Sequence, residues 1–331
     1  MKGTKTISVK HIRAIALVVL AVILFSVAIL LFRDWEKKQG LFPEQSGVVD
    51  DELIYNGEEY VLKKDVETFL LIGLDTFSGA ENDSGYNNDK LADFLLLLVL
   101  DNKASTVSAV QINRDTMVEI NRLGVAGDKI GTVNRQIAFA HTYGNGNEVS
   151  CRNTADSVSS LLNNVKINHY ASVTMDAVSE FNDLLGGISL EVLDDFSGID
   201  DSLKQGETVT LTGKQALTYV RTRYGLEDSS NTRRMERQRQ YLNALYDKTR
   251  TVSEDDTKFL ANAVSGLSKH TVSNCTVHQL QTLLEKVTAY DTLDIHTPEG
   301  ELIKGDEYME FHPDQKALEG LAVELFCTKK Q

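Results

Sequence analysis

The 331-residue sequence predicts an α/β (α+β) fold, with a central mixed β-sheet covered by helices, preceded by one N-terminal transmembrane helix. Short apolar runs that alternate with helical periodicity indicate a sheet covered by helices. A 19-residue apolar segment near the N-terminus is long enough to cross a bilayer. The whole chain has three prolines, so no Pro-rich linker divides the remainder into separate domains.

The apolar segment, residues 14–32, carries no charge and one polar residue, Ser26. As a helix it spans about 28 Å, close to the hydrocarbon thickness of a membrane. A cleaved signal peptide is the alternative, although its apolar region is usually shorter and ends in small residues. The larger uncompensated positive charge precedes the segment, which predicts a cytoplasmic tail at residues 1–13. Residues 33–65 then form an extracytoplasmic stalk.

The charge is distributed unevenly along the chain. The 34 basic and 48 acidic residues give a net charge of −14. Residues 1–38 hold seven basic and two acidic residues, a net +5, which leaves −19 for residues 39–331. This acidic surplus argues against nucleic acid as a partner, since such proteins usually present a basic surface.

Residues 66–331 form the predicted extracytoplasmic domain, with a core at 66–250 and a helical C-terminal part at 251–331. Apolar runs predict strands at 68–74, 93–100, 105–112 and 167–173. Helical patterns predict helices at 134–143, 153–162, 175–185, 232–249, 255–267, 276–289 and 313–326, with another that begins at 211–213.

Two aspartates lie at the ends of the first two predicted strands. Asp75 stops the first apolar run and Asp93 begins the second, with a polar loop between them. Two carboxylates at neighbouring strand ends repel each other unless a cation or a proton separates them, and a hydrated divalent ion suits such a pair. The alternative is that both are solvated turn residues.

Arginines are concentrated later in the chain. Six of the thirteen arginines lie between residues 221 and 239, opposed by three acids, which gives a local +3 within an acidic domain. Arg234, Arg237 and Gln238 share one helix face, and Arg221 and Arg223 share one side of an extended segment. One guanidinium group can donate hydrogen bonds to two phosphate oxygens at once, so this set of arginines predicts a pyrophosphate clamp. The alternative is a solvated helix with ordinary surface pairs.

A further pair, Arg114 and Asp115, follows the strand predicted at 105–112. It is either a local ion pair or an arginine that faces an anion beside an acid that fixes another arginine. The histidines and cysteines show no metal-ligand spacing, and no motif of a serine hydrolase or a nucleotide-binding loop is present.

These motifs occur in a fixed order that resembles the LytR-CpsA-Psr family of bacterial envelope glycopolymer transferases. The order is an N-terminal anchor, LLIGLD, an Asp before an apolar run, NRDT, LLGGI, GKQALTYVRTR and RRMERQRQY. The resemblance covers residues 66–250. It implies a membrane-bound enzyme that transfers a glycopolymer from a polyprenyl-pyrophosphate lipid to peptidoglycan, with an apolar pocket that encloses the lipid tail.

The resemblance also implies roles for individual residues. Asp75 and Asp93 match the carboxylates that bind Mg²⁺ (or Mn²⁺). The catalytic and pyrophosphate-contacting positions, to which helix spacing adds Arg237, are Arg114, Asp115, Arg221, Arg223, Arg234, Arg237 and Gln238. Charge on the departing lipid phosphate would be stabilised there while a peptidoglycan hydroxyl attacks the sugar-linked phosphorus.

The sequence departs from the family pattern at four positions. Leu91 stands where an arginine is usual, with Lys90 adjacent, and Thr76 replaces an arginine after the first metal aspartate. Asn113 replaces a proline and Asn231 an aspartate. The alternatives to a transferase are therefore a lipid-pyrophosphate hydrolase and a membrane-anchored protein that binds the lipid without turning it over.

Overall fold

The computed structural model describes residues 52–77, 89–290 and 293–330, which form fifteen strands and seven α-helices. In chain order the strands are β1 (Glu52–Tyr55), β2 (Glu58–Leu62), β3 (Val66–Leu74), β4 (Ala92–Asp101), β5 (Thr106–Ile112), β6 (Met117–Leu123), β7 (Lys129–Gln136), β8 (His169–Val173), β9 (Ile188–Glu191), β10 (Thr208–Leu211), β11 (Thr271–Ser273), β12 (Leu293–His296), β13 (Gly300–Lys304), β14 (Met309–Pro313) and β15 (Cys327–Lys329). The helices are α1 (Glu148–Leu161), α2 (Met175–Leu184), α3 (Gly213–Arg221), α4 (Asn231–Asp255), α5 (Phe259–Leu267), α6 (Val277–Ala289) and α7 (Gln315–Phe326).

A six-stranded mixed sheet lies at the centre, in the order β11-β8-β3-β4-β5-β12. β3 and β4 pair antiparallel, as do β4 and β5, whereas β8 and β12 run parallel to their neighbours β3 and β5. The end of β3, the start of β4 and the end of β5 therefore lie at one edge of the sheet. This arrangement confirms the predicted mixed sheet covered by helices.

Both faces of this sheet are covered, which explains why its strands are continuous apolar runs. Leu70 and Leu97 point to one face, where they pack with Val158 of α1 and Leu318 of α7. Residues of opposite parity point to the other face, where Phe69 packs against α6. The strands predicted at 68–74, 93–100, 105–112 and 167–173 correspond to β3, β4, β5 and β8.

The helix predicted at 134–143 is wrong over its first part. Residues up to Gln136 belong to β7, which pairs antiparallel with β6 from Met117 onward, and a 3₁₀ helix follows at Ile137–Thr142. Cross-strand pairing with β6 supplies backbone hydrogen bonds that local periodicity does not reveal.

The regions on either side of the predicted core also contribute strands. β1 and β2 fall within the predicted stalk and form a small sheet with β15 near the C-terminus. The part after residue 250, predicted as helical, holds the three helices α5 to α7 and the strands β11 to β15. Pairing between β2 and β15 thus continues the fold beyond the predicted core on both sides.

No helix in the part of the chain that the structure describes is long and apolar enough to cross a membrane. The transmembrane helix predicted at residues 14–32 lies outside the described residues.

Candidate active site

Charged residues from five separate elements meet at the sheet edge where β3 and β5 end. Asp75 follows β3 and Asp93 lies in β4, and the two segments are joined by a bond from the Asp75 N–H to the Leu91 carbonyl at 3.1 Å. Arg114 and Asp115 follow β5. The remaining arginines come from the end of α3 and the start of α4. The antiparallel order of β3, β4 and β5 is what brings these distant residues together.

Asp93 lies between two arginines. Its Oδ1 accepts a hydrogen bond from Nη1 of Arg114, and its Oδ2 lies 3.4 Å from Nη1 of Arg234. Nη2 of Arg234 also donates to the main-chain carbonyl of Asp93 at 3.4 Å. The side chain of Asp93 is 19% exposed, so this pair is shielded from water far more than an ordinary surface ion pair.

Asp75 makes a more open pair with Arg221. Nη2 of Arg221 lies 3.3 Å from Oδ1 of Asp75, and both side chains are exposed to solvent. Exposed pairs of this kind hold their partners weakly, so both groups remain available to a ligand.

Asp115 is buried beside Arg114. Its Oδ1 lies 3.5 Å from Nε of Arg114 and accepts a hydrogen bond from Nε2 of Gln136 at 3.1 Å. Burial raises the pKa of the Asp115 carboxyl, although the nearby charges of Arg114, Arg223 and Arg234 act in the opposite direction. Asp115 therefore fixes the guanidinium of Arg114 from the protein side.

Arg234 is the most deeply buried cation of the cluster, with 5% of its side chain exposed. Burial, together with the charges of Arg223 and Arg114, lowers the pKa of Arg234 to about 10, although the charge of Asp93 acts in the opposite direction. Nε of Arg234 is buried without a hydrogen-bond partner, and Nε of Arg114 is buried with only the Asp115 carboxylate 3.5 Å away, which is an ion pair and not a hydrogen bond. Unpaired donors on adjacent buried cations are expensive, which indicates a place prepared for an anion.

Arg223 belongs to the same cluster, because its positive charge lowers the pKa of both Asp115 and Arg234. Its guanidinium carbon also lies 5.3 Å from the centre of the exposed Tyr224 ring. The structure thus brings together Asp75, Asp93, Arg114, Asp115, Arg221, Arg223 and Arg234.

Arg237 and Gln238 have different surroundings. Arg237 is fully buried and is bonded to the main chain at the end of α3 and to Asp194. Gln238 donates to the Val220 carbonyl at 3.1 Å and accepts from Nε2 of Gln111 at 3.0 Å. Neither side chain contacts Asp75, Asp93 or Asp115, so the structure does not place Arg237 and Gln238 among the charged groups of the cluster.

Two asparagines that depart from the family pattern contact each other beneath the cluster. Nδ2 of Asn231 donates to Oδ1 of Asn113 at 2.7 Å, and Oδ1 of Asn231 accepts from Nη2 of Arg234 at 2.7 Å. The sequence marks these two residues only as departures from the family pattern, and no pattern in it marks Gln136 or Asp194. No local motif marks these contacts, since each joins segments that are distant along the chain.

A large apolar cavity begins beside the charged cluster. It has a volume of about 570 Å³ and lies between one face of the central sheet and helices α2, α4, α5 and α6. Gly73 and Phe94, which neighbour the two aspartates, line one end, and a Cβ at Gly73 would come within 2.9 Å of the Phe94 side chain. Toward the other end the wall includes Cys275 and Val287. An elongated apolar group can therefore lie in the cavity with a charged head against the arginines.

A sequence model of the LytR_cpsA_psr family matches residues 43–325, which is most of the chain. The chain belongs to the LytR-CpsA-Psr family. This confirms the resemblance inferred from the order of the motifs, and the match extends it from residues 66–250 into both flanking regions.

Curated relatives of this LytR-CpsA-Psr protein include two from Bacillus subtilis (strain 168). Polyisoprenyl-teichoic acid–peptidoglycan teichoic acid transferase TagU is 30% identical over 219 residues, which are 66% of this chain and 64% of TagU. The corresponding transferase TagV is 32% identical over 184 residues, which are 54% of this chain and 44% of TagV. The chain thus matches less than two thirds of the length of each relative.

Solved structures show the same fold. The crystal structure of B. subtilis TagV superposes with a TM-score of 0.62 at 24% identity, covering 80% of this chain and 97% of TagV. A structure of TagT bound to LIIa-WTA superposes with a TM-score of 0.60 at 22% identity, covering 79% of this chain and 90% of TagT.

Proposed function

We propose that this LytR-CpsA-Psr protein is a membrane-anchored phosphotransferase of cell-wall assembly. It moves a glycopolymer, as a sugar phosphate, from a polyprenyl-pyrophosphate carrier to peptidoglycan. The observation that carries the proposal is the junction of an apolar cavity with a buried arginine cluster that has unpaired donors. A lipid pyrophosphate has the complementary chemistry, an apolar tail joined to a dianionic head.

The relatives support the same class of reaction. TagU and TagV are named as transferases of teichoic acid from a polyisoprenyl carrier to peptidoglycan, and a TagT structure contains LIIa-WTA.

The arginines supply the electrostatic part of the reaction. Arg234 would donate its unpaired Nε–H group to the pyrophosphate beside the guanidinium of Arg114, with Arg221 and Arg223 on the open side. A peptidoglycan hydroxyl forms a bond to the sugar-linked phosphorus, and the bond from that phosphorus to the oxygen of the polyprenyl phosphate breaks. The hydroxyl proton is released to solvent or to Asp115. Fixed positive charge around the leaving phosphate stabilises the transition state more than the ground state.

Asp75 and Asp93 are the residues that fit a divalent cation. Their carboxylates come from paired strand ends, and oxygen ligands suit Mg²⁺ or Mn²⁺. The described residues contain no group of three or more His, Cys, Asp or Glu side chains that could hold a metal, so the remaining ligands would be water and phosphate oxygens. Bound there, the cation would supply further positive charge to the phosphates.

Asp115 has a supporting role in this scheme. Its position 3.5 Å from Nε of Arg114 suits it to orient that arginine. Its raised pKa also permits it to accept the hydroxyl proton of the acceptor, which is the less favoured of the two roles.

The N-terminal sequence supports a membrane location. A single pass at residues 14–32 with a cytoplasmic N-terminus would hold the main domain outside the membrane, close to its lipid substrate. A reporter fused after residue 331 tests this orientation, since a reporter that is active only in the cytoplasm should remain silent.

The test of the proposed reaction uses the full chain in detergent with a polyprenyl-pyrophosphate oligosaccharide, Mg²⁺ and peptidoglycan. Phosphate-linked sugar on the glycan is the expected product. Free sugar phosphate would instead identify a hydrolase, and binding without either product would identify a lipid-binding protein. The matched variants are Arg223→Ala within the cluster and Arg250→Ala outside it, since Arg250 faces the Tyr246 ring rather than the aspartates.

A further inference from the structure

Arg237 is a fully buried arginine with all three of its guanidinium nitrogens engaged. Nε donates to the Tyr219 carbonyl at 3.0 Å, and Nη2 donates to the Thr222 carbonyl. Nη1 donates to Oδ2 of Asp194. Each nitrogen of this side chain is already directed at a protein oxygen and the side chain is fully buried, which separates Arg237 from Arg234 three residues earlier on the same helix.

The two carbonyls held by Arg237 lie at the end of α3. The last carbonyls of a helix have no partner within the helix and need one from outside. Two neighbouring residues of α4 supply those partners. Arg237 donates to the two carbonyls named above, and Gln238 donates to the Val220 carbonyl at 3.1 Å. The Thr222 N–H also bonds back to the Thr218 carbonyl at 3.1 Å, so the residue is fixed on both sides.

Arg221 and Arg223 flank this fixed residue in sequence. Arg221 ends α3 and pairs with Asp75, whereas the charge of Arg223 acts on Asp115 and Arg234. The position of the main chain at Thr222 therefore determines where the side chains of Arg221 and Arg223 leave the backbone. A displacement of a residue by about 1 Å is enough to lower activity substantially at a site of this kind.

Asp194 orients the guanidinium of Arg237 from the side opposite the carbonyls. Its Oδ1 accepts from Nε of Arg233 at 2.7 Å, which fixes the carboxylate in turn. Arg233 donates its other bonds to the Leu193 carbonyl and to Glu236, and it has no bond to the end of α3. A buried ion pair usually stabilises a protein no more than apolar side chains of the same volume would. The pair of Arg237 and Asp194 is therefore explained by the geometry that it fixes and not by stability.

We infer that Arg237, oriented by Asp194, is a positioning residue that sets Arg221 and Arg223 against the substrate pyrophosphate. The inference rests on the proposed function for the identity of the ligand. The geometry of the segment from the end of α3 to Arg223 does not depend on the proposed function. A rigid planar fork can hold two carbonyls and a carboxylate at once, whereas the single ammonium of a lysine cannot reproduce that arrangement.

The test compares Arg237→Lys with Arg233→Lys in the full chain in detergent. Both substitutions keep the charge on α4 and both alter a contact of Asp194, but only the first removes the bonds to the end of α3. Two quantities are measured. Hydrogen exchange of the last turn of α3 through Thr222 needs no ligand, and calorimetric titration with geranylgeranyl pyrophosphate gives the affinity for a lipid pyrophosphate.

Arg237→Lys is expected to speed exchange in this segment and to weaken binding of the probe, each about tenfold, whereas Arg233→Lys, which acts only through Asp194, changes both by much smaller factors. The loss of affinity should shrink when Arg223→Ala is already present, because Arg237 acts through that residue. A folded Arg237→Lys protein with unchanged exchange and affinity would overturn the inference, as would an equal effect of Arg233→Lys or full additivity with Arg223→Ala.

Two further outcomes remain decisive. Absence of probe binding by the unaltered chain would refute the proposed function, while the exchange comparison alone would still decide whether Arg237 positions the segment. If Arg237→Lys fails to fold, Asp194→Asn replaces it, because an amide oxygen accepts more weakly than a carboxylate. Asp194→Asn should also speed exchange and weaken binding, each by a smaller factor than Arg237→Lys, and unchanged values would refute the inference.

Discussion

Asp93→Asn is expected to have opposite effects on phosphate binding and on turnover. The Asp93 carboxylate neutralises part of the charge of Arg114 and Arg234, the two arginines with unpaired Nε–H groups. In the absence of a divalent cation it therefore competes with a phosphate for the same two guanidinium groups. An asparagine has nearly the same shape but lacks the negative charge.

The size of the effect follows from the geometry. A carboxylate within about 6 Å of a bound phosphate repels it by about 1.4 kcal/mol at an effective dielectric constant of about 40. This constant suits the site because the Asp93 side chain is 19% exposed. Asp93→Asn should then bind geranylgeranyl pyrophosphate about tenfold more tightly in the presence of EDTA. With Mg²⁺ present, loss of a cation ligand should instead lower turnover by a factor on the order of 100.

Asp101→Asn provides the matched control. Asp101 ends the same strand, its side chain is also 19% exposed, and it pairs with Lys63 at 3.4 Å. Eight residues of strand place it about 27 Å from Asp93 along the sheet, where its charge is screened from the cluster. Weaker or unchanged binding by Asp93→Asn in EDTA would refute the electrostatic reasoning, and unchanged turnover with Mg²⁺ would refute the assignment of Asp93 as a metal ligand.

Four further outcomes are expected. Arg234→Met should raise the melting temperature and weaken pyrophosphate binding, because burial holds the pKa of this arginine at about 10 and its charged form costs the folded state free energy; a lower melting temperature would contradict this. Asp115→Asn should stabilise the protein more at about pH 7 than at about pH 3, because burial raises the pKa of this carboxyl and ionisation above it opposes folding. Equal shifts at the two pH values would count against that explanation. Burial lowers the pKa of His141 from 6.5 to about 4, so the unfolded chain takes up a proton in this interval that the folded chain does not. His141→Gln should consequently lose less thermal stability than the unaltered chain as the pH falls through the interval, which differential scanning fluorimetry measures; parallel pH profiles would argue against it. Cys275 in the cavity wall should react more slowly with a maleimide once geranylgeranyl pyrophosphate is bound, while Cys327 outside the cavity reacts at an unchanged rate, and equal protection of both thiols would exclude specific occupancy.

Sequence reasoning succeeded where a structural property is local. The strands β3, β4 and β5 were predicted within two residues at each end, because their burial on both faces produces continuous apolar runs. The hairpin of β6 and β7 was missed, because its strands are partly exposed and their partner is visible only in three dimensions. The same limit applies to β2 and β15, which pair although about 270 residues separate them along the chain.

The sequence by itself determined the family, the mixed sheet and the set of charged residues at its edge, since each depends on residue type and order. Tertiary structure decided which of those residues share one environment. Arg234 and Arg237 lie three residues apart on one helix and share one helix face by spacing, yet one faces Asp93 and the other faces Asp194. The physical reason is that the role of a buried guanidinium is set by the groups packed against it. In this protein those groups lie 141 and 43 residues away along the chain.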